Sequence, residues 1–175
     1  MQRVVKHDEV AFEILLRRHE DAVFRLLTRI LDGNADEARD VAQEIFIAIW
    51  ENPRAWKPKA LFTTWLYRVT TNRALNRRRA IRLKSMFSLS SPEADEPATY
   101  EDQADVELEK DEAQRRFEAN FDRLPPKQRA VLHLRYREEL PVVEVAKALG
   151  TSVKSAESLL YRAKQALRNS MKNQE

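Results

Sequence analysis

The sequence predicts an all-α protein built from two small helical domains that are joined by an acidic, flexible linker. Glycine occurs only twice in 175 residues, which leaves little material for hairpin turns, whereas apolar residues recur at helical spacing in both halves. Residues 85–109 carry eight acidic residues and no basic one, and a segment of one charge sign with few apolar residues does not fold alone. We therefore place the domains at 1–87 and 110–175, with the linker at 88–109.

The first two helices are indicated by capping residues and by apolar spacing. Asp8 can cap the first helix and Gly33 follows its end, while Asn34 can cap the second helix and Pro53 stops it. The apolar stripe predicted for the first helix comprises Val10, Ile14, Leu15, Ala22, Leu26, Leu27 and Ile30. The two helices are therefore expected to pack through apolar faces.

The second helix carries an acidic face opposite its apolar stripe. The polar members of this face are Asp36, Asp40, Gln43 and Glu44. Such a face is either solvated, which is the usual role of surface charge, or a docking face for a basic partner. The residues alone leave both interpretations open.

Basic charge is concentrated in the segment that follows. Residues 68–84 hold seven basic residues and no acidic one, in a chain whose net charge is only +3. Aromatic and basic residues alternate just before this run. For Trp65, burial in the core is the first expectation. Trp56 lies beside Lys57 in a loop between prolines, where a side chain that stacks on a base would be useful. The concentration of charge suits a polyanionic partner.

A third helix, which we expect to begin near Leu61, would bring further polar side chains within reach of one broad face. These are Asn72, Arg73, Asn76, Arg77 and Lys84. Such a set can follow a phosphate backbone and present amides to base edges. A membrane surface is the competing polyanion, but the two asparagines and the lack of an adjoining apolar insertion face favour nucleic acid.

The second half of the chain predicts a helix-turn-helix. An initial helix follows two prolines, and its apolar anchors are Val131, Leu132, Leu134 and Tyr136. Residues 142–149 then form a short helix, Gly150 takes a left-handed turn, and Ser152 caps the next helix. The core face of that last helix comprises Val153, Ala156, Leu160, Ala163 and Leu167. In this geometry the second helix of the pair enters a major groove.

Composition argues against several other classes of protein. The absence of cysteine excludes thiolate sites, and three scattered histidines do not suggest a metal site. The sequence shows neither a nucleophilic side chain paired with a general base nor a glycine-rich phosphate loop. We therefore expect no cofactor and no enzymatic activity. The longest apolar run, 45–50, is far too short to span a membrane, and the N-terminus has no apolar signal region. We expect a cytoplasmic protein with no membrane insertion of its own.

Three segments of the chain resemble three segments of the bacterial extracytoplasmic-function sigma factors of the sigma-70 family. They occur in the same order as in that family, and the resemblance covers nearly the whole chain. "DEARDVAQEIFIAIWEN" resembles their polymerase-clamp helix, "FTTWLYRVTTNRALNRRR" their minus-ten segment, and "LPPKQRAVLHLRYREELPVVEVAKALGTSVKSAESLLYRAKQAL" their minus-thirty-five-reading domain. The resemblance implies a sigma-2-like helical bundle at 1–87 and a sigma-4-like helix-turn-helix domain at 110–175. It also implies an initiation factor that recognises and melts promoter DNA.

The resemblance further implies partners and residue roles in the first domain. Core RNA polymerase would be bound through its beta-prime clamp helices and its beta flap, and an anti-sigma factor would hold the protein inactive. Binding to the clamp is assigned to Asp40, Gln43 and Glu44, with Asp36 on the same face. The loop 52–60, with Trp56 and Lys57, would capture a flipped minus-ten base. The other minus-ten contacts are assigned to Trp65, Asn72, Arg73, Asn76 and Arg77.

In the second domain, base or phosphate contacts to the minus-thirty-five element are assigned to Lys154, Ser155 and Ser158. Phosphate contacts are assigned to Arg162 and Lys164. Glu157 and Leu159 stand where many family members have Lys and Arg, and Glu157 either accepts a hydrogen bond from a cytosine amino group or points to solvent.

Two other functions are considered. A stand-alone helix-turn-helix regulator would explain the second domain, but it gives the acidic face and the aromatic-basic helix no purpose. A sigma-mimicking adaptor, which binds an anti-sigma protein and not DNA, would explain the fold without any need for a basic helix. The run "NRALNRRR" argues against the adaptor.

Overall fold

The computed structural model describes residues 1–58, 61–88 and 112–172. Its α-helices are α1 (Glu9–Ile30), α2 (Ala35–Glu51), α3 (Phe62–Ser88), α4 (Glu112–Asp122), α5 (Pro126–Leu132), α6 (Val142–Ala148) and α7 (Val153–Lys172). Short 3-10 turns cover Val4–Lys6 and Pro53–Ala55, and a π-helical turn, His133–Arg137, continues α5. No strand occurs in the described ranges, and the all-α prediction is confirmed. The predicted linker lies outside the described residues apart from Ser88.

The caps predicted for α1 and α2 form in the structure. The Asp8 carboxylate accepts a hydrogen bond from the Ala11 N–H at 2.9 Å, and the Asn34 side chain accepts one from the Glu37 N–H at 3.0 Å. Gly33, in the loop between the two helices, has a φ of +82°, a left-handed conformation that glycine adopts at little cost. Local sequence thus determines where both helices begin.

Asn34→Ala is expected to lower the free energy of unfolding by about 1 kcal/mol, because the Glu37 N–H loses its acceptor at the helix start. Urea unfolding followed by far-ultraviolet circular dichroism measures the change. Asn34→Ser keeps a capping oxygen and is the control, with an expected change of about 0.3 kcal/mol or less. Equal losses in the two variants would contradict the capping role.

The first bundle consists of α1, α2 and α3. Its most deeply buried side chains are Val23, Leu26, Leu27, Ile30, Ala38, Val41, Ile45, Ile49 and Leu66. The predicted burial of Val10 and Ile14 is wrong, since both are exposed. The buried stripe of α1 consists of Leu15, Val23, Leu26, Leu27 and Ile30. Val10 and Ile14 each lie roughly 100° round the helix from the nearest edge of that stripe. Phe12 occupies the core side of α1 instead and packs against Trp50, with ring centroids 5.0 Å apart.

The second bundle consists of α4 to α7 and contains the predicted helix-turn-helix. Gly150 has a φ of +63°, and the Ser152 hydroxyl accepts a hydrogen bond from the Ser155 N–H at 3.2 Å, which caps α7. Tyr136 and Val153, both predicted as core residues, are exposed. Tyr136 lies in the π-helical turn at the rim of the bundle, and Val153 is the first residue of its helix.

The two bundles pack against one another, with α3 against α6 and α1 against α5. Their buried apolar residues form one continuous cluster, and polar side chains such as Thr64 and Arg129 are buried with them. The described helices include none that is both long and apolar enough to cross a lipid bilayer.

Candidate nucleic-acid interface

α3 holds most of the predicted minus-ten contacts, and one of its faces is open to solvent. At helical spacing this open face carries Trp65, Arg68, Asn72, Asn76 and Arg79, and all but the half-buried Trp65 are exposed. Arg68 and Arg79 are not among the residues assigned from the sequence, although their spacing from the two asparagines indicates the same face. Because residues 61–88 contain no acid, every charge that α3 places on this open face is positive.

A second face of α3 meets α2, where two predicted DNA contacts pair with a predicted polymerase contact. Nη1 of Arg73 lies 3.3 Å from Oε2 of Glu44, and the Arg77 guanidinium bonds the same carboxylate. Nε of Arg77 also lies 3.5 Å from Glu37. These partly exposed pairs contribute at most about 1 kcal/mol each. Their main effect is to aim both guanidinium groups at α2 and away from the open face.

The acidic face of α2 brings the predicted polymerase-binding residues together. Asp36, Asp40 and Gln43 are exposed along one stripe, and Asp36 lies 3.0 Å from the Arg39 guanidinium. Glu44 stands at the edge of this stripe, beside α3. Ile47 lies on the same stripe and is 48% exposed, so the face combines negative charge with an apolar contact.

The loop before α3 is anchored by a cluster of aromatic rings. Trp56 is half-buried and stands edge-on to Phe62, with centroids 6.2 Å apart, and Phe62 lies 5.7 Å from Trp65. His19, which the sequence did not single out, completes the cluster at 5.4 Å from Phe62. Burial lowers the pKa of His19, which favours a neutral ring. Lys57, next to the cluster, is exposed.

The second helix of the helix-turn-helix, α7, presents most of its first two turns to solvent. Lys154 and Ser158 are exposed. The Ser155 hydroxyl accepts a hydrogen bond from the Ser152 hydroxyl at 2.9 Å, so it is part of the helix cap as well as the surface. Nε of Arg162 donates to the Ser158 carbonyl at 3.3 Å, which directs that arginine along the helix.

Three more residues of α7 differ in their surroundings. Nζ of Lys164 lies 5.1 Å from the centroid of the Tyr136 ring, a cation–π contact within the second bundle. Leu159 packs against the core, so a charged residue at that position would lose this packing. Glu157 is exposed and forms no ion pair with any described residue.

Two family models match the chain, one on each bundle. The family described as Sigma-70 region 2 matches residues 15–83, and the family described as Sigma-70, region 4 matches residues 115–167. The first match contains the acidic face of α2 and the open face of α3. The second match contains the helix-turn-helix.

Solved structures of two other proteins have the same fold. The sigma factor RpoE in complex with the anti-sigma factor NepR, from Bartonella quintana, aligns with a TM-score of 0.71 at 18% identity, over 93% of this chain and 97% of that chain. CnrH in complex with the cytosolic domain of CnrY aligns with a TM-score of 0.67 at 22% identity, over 99% of this chain and 96% of that chain.

Two curated relatives match over almost their full length. The chain is 27% identical over 175 residues to the ECF RNA polymerase sigma-E factor of Haemophilus influenzae, covering 97% of this chain and 92% of that protein. It is 32% identical over 181 residues to the ECF RNA polymerase sigma factor SigW of Bacillus subtilis, covering 99% of this chain and 95% of that protein. With that identity sustained across both proteins, the chain belongs to the extracytoplasmic-function RNA polymerase sigma factors of the sigma-70 family.

Proposed function

We propose that this sigma factor uses its first domain, 1–87, to bind core polymerase and open the minus-ten element, and its second domain, 110–175, to read the minus-thirty-five element. The segment 88–109 tethers the two. The observation that carries the proposal is the arrangement of α3 and α2. α3 contains no acid and keeps amides and guanidinium groups open on one face, while α2 keeps an acidic face open beside it.

Polymerase binding is proposed for Asp36, Asp40, Gln43 and Glu44. Their oxygens accept hydrogen bonds from cationic side chains of the beta-prime clamp helices, and complementary charge speeds the encounter. Ile47 supplies an apolar contact at the same place. Glu44 has a second role, because a polymerase cation that binds its carboxylate would release Arg73 to turn toward DNA and would leave Arg77 held only by Glu37.

Recognition of the minus-ten element is proposed for the open face of α3 and the loop before it. Asn72 and Asn76 present amides to base edges, and the guanidinium groups bind phosphates. Trp56, Lys57 and Trp65 surround the place where a flipped base would lodge. Each base that stacks on an aromatic ring contributes about 1 to 3 kcal/mol, which offsets the cost of unpairing it.

Recognition of the minus-thirty-five element is proposed for α7. In helix-turn-helix proteins the first residues of the recognition helix contact base edges, and here these are Lys154, Ser155 and Ser158. Arg162 and Lys164, further along the helix, are proposed to bind phosphates. The second bundle also binds the beta flap, which sets its distance from the first.

The proposed roles also imply where the protein acts and which cofactors and partners it uses. It works in the cytoplasm with polymerase and DNA, needs no cofactor, and catalyses no bond chemistry. An anti-sigma partner is also proposed. The support for this partner is the shared fold with RpoE, which was solved in complex with the anti-sigma factor NepR.

Run-off transcription on a library of genomic fragments, with purified core polymerase, tests the proposed function. Discrete transcripts that require both the sigma factor and the core are expected, and core polymerase alone is the control. Tight binding to core without any transcript would favour the adaptor. Binding to duplex DNA without binding to core would favour the stand-alone regulator.

A further inference from the structure

α7 carries a single acidic residue, Glu157, among several basic ones. The basic residues are Lys154, Arg162, Lys164, Arg168 and Lys172. Glu157 lies in the second turn of the helix and is exposed, whereas its neighbour Ala156 is 0% exposed. A helix that is proposed to enter the groove of a polyanion gains affinity from cations and loses affinity from an acid. The carboxylate of Glu157 therefore does not contribute to the general strength of DNA binding.

No neighbouring side chain neutralises the Glu157 carboxylate. It forms no ion pair with any residue that the structure describes. Lys154 and Lys164 lie on the same side of α7, three positions before it and seven positions after it. Nζ of Lys164 is instead 5.1 Å from the centroid of the Tyr136 ring. The full charge of the carboxylate is thus available to a ligand of α7.

Glu157 differs from Lys154, Ser155 and Ser158 in the groups that it can bind. A lysine only donates hydrogen bonds and a serine both donates and accepts them, whereas an ionised carboxylate only accepts. In the major groove the amino groups of cytosine and adenine are donors, while guanine and thymine present acceptors. Adenine also presents the acceptor N7 beside its amino group, and N7 would repel the second carboxylate oxygen. A carboxylate therefore fits cytosine best.

The surface around Glu157 makes this selection more stringent. Together with Ser158, Tyr161 and Arg162, Glu157 lines a shallow depression on α7. Tyr161 is 65% exposed, and its ring would exclude water from the carboxylate when DNA covers the depression. A charged acceptor that is buried without a donor is strongly unfavourable. A base without an amino group in the major groove would therefore be rejected.

We propose that Glu157 is a specificity-determining residue of this sigma factor, and that its carboxylate accepts a hydrogen bond from the N4 amino group of one cytosine in the minus-thirty-five element. This inference rests on the proposed function, in which α7 reads that element, and it adds which base one side chain selects. Glu157 lowers the affinity for DNA in general and recovers affinity only where a cytosine faces it. The result is a larger ratio of specific to non-specific binding.

Transcription from a promoter library tests the proposal. The minus-thirty-five element of a promoter found by run-off transcription is randomised, and each version is linked to a barcode in its transcript. We expect the wild-type holoenzyme to favour a G·C pair at one position by about 10- to 100-fold. Glu157→Ala should lose the preference at that position alone. Glu157→Gln should favour adenine there, because an amide binds N6 and N7 of adenine together.

A cytosine analogue identifies the atom that Glu157 reads. Since a cation that binds guanine also selects a G·C pair, the selected cytosine is replaced by 2-pyrimidinone, which lacks the 4-amino group. Promoter binding by the wild-type holoenzyme should fall about tenfold or more, whereas binding by the Glu157→Ala holoenzyme should stay within about threefold. Equal losses for the two proteins would overturn the proposal, because the weaker base pair would then explain both.

Glu139→Gln is the matched control for Glu157→Gln. It removes the same charge from an exposed position of the second bundle outside α7, so any effect of net charge appears in both variants. Its base preferences should equal those of the wild type at every position. The proposal is overturned if Glu157→Ala keeps the wild-type preferences, or if it weakens the preferences evenly at all positions.

Failure of the proposed function is distinguishable from failure of this inference. If the wild type gives no transcripts with core, the proposed function fails, and the full chain without polymerase is used to select duplexes from a random library. A G·C preference at one position that Glu157→Ala loses would still support the role of Glu157. No such preference, or the same preference in both proteins, would overturn it.

Discussion

Asp40→Arg is expected to weaken binding to core polymerase at least 100-fold, which corresponds to about 2.7 kcal/mol. Asp40 lies in the middle of the exposed acidic face of α2, and the substitution places a cation where a basic surface would dock. Like charges brought together across an interface cost several kcal/mol. Transcription should disappear together with core binding, because the proposed DNA contacts would support initiation only while the sigma factor is bound to core polymerase. Fluorescence anisotropy with labelled sigma factor measures the affinity.

The control for Asp40→Arg is Glu13→Arg, an equal charge reversal at an exposed position on a different helix. Its affinity for core should stay within about threefold of the wild type. Duplex DNA binding by both variants should be no weaker than that of the wild type, since each gains positive charge. Similar losses of core affinity in the two variants would show that net charge, and not the face of α2, controls the interaction.

Ile45→Ala is expected to lower the free energy of unfolding by about 3 to 4 kcal/mol. Ile45 lies on the buried side of α2 and is 0% exposed, so truncation removes apolar contacts and leaves a cavity in a packed core. Such a loss is a large part of the stability of a domain of this size. The midpoint of urea unfolding, followed by circular dichroism, measures it.

Ile47→Ala is the matched control, because it makes the same chemical change two positions further along the same helix, where the side chain is 48% exposed. The stability should change by only about 0.5 kcal/mol or less. The same variant should weaken binding to core if Ile47 contacts the clamp helices. An equal loss of stability in the two variants would contradict the assigned inner and outer faces of α2.

The sequence is most informative where structure is local. Asp8 and Asn34 cap their helices as predicted, and Gly150 takes the predicted left-handed turn, because these preferences involve residues within one helical turn. Val10 and Ile14 show the limit of apolar spacing as a signal. They repeat at i and i+4 like core residues, yet they belong to a different stripe from the one that the other helices cover.

Contacts between residues that are far apart in the sequence could not be predicted from local capping and spacing. The family resemblance assigns Arg73 and Arg77 to DNA and Glu44 to polymerase, and nothing in their spacing predicts that they bond one another. Likewise, Asp32 and Arg129 are 97 positions apart, and an isolated aspartate before a glycine looks like an ordinary turn residue. Such pairs depend on how helices pack, which is a property of the whole chain.

If α3 binds DNA as proposed, its ion pairs determine how many counterions that binding releases. Of the seven basic residues from 68 to 84, Arg73, Arg77 and Arg78 already bond carboxylates of the protein. The other four form no ion pair with any described residue. On single-stranded DNA each neutralised phosphate contributes about 0.7 to the slope of log affinity against log salt. Four cations therefore give a slope near −3 and seven a slope near −5, so the salt dependence counts the arginines that have exchanged a carboxylate for a phosphate.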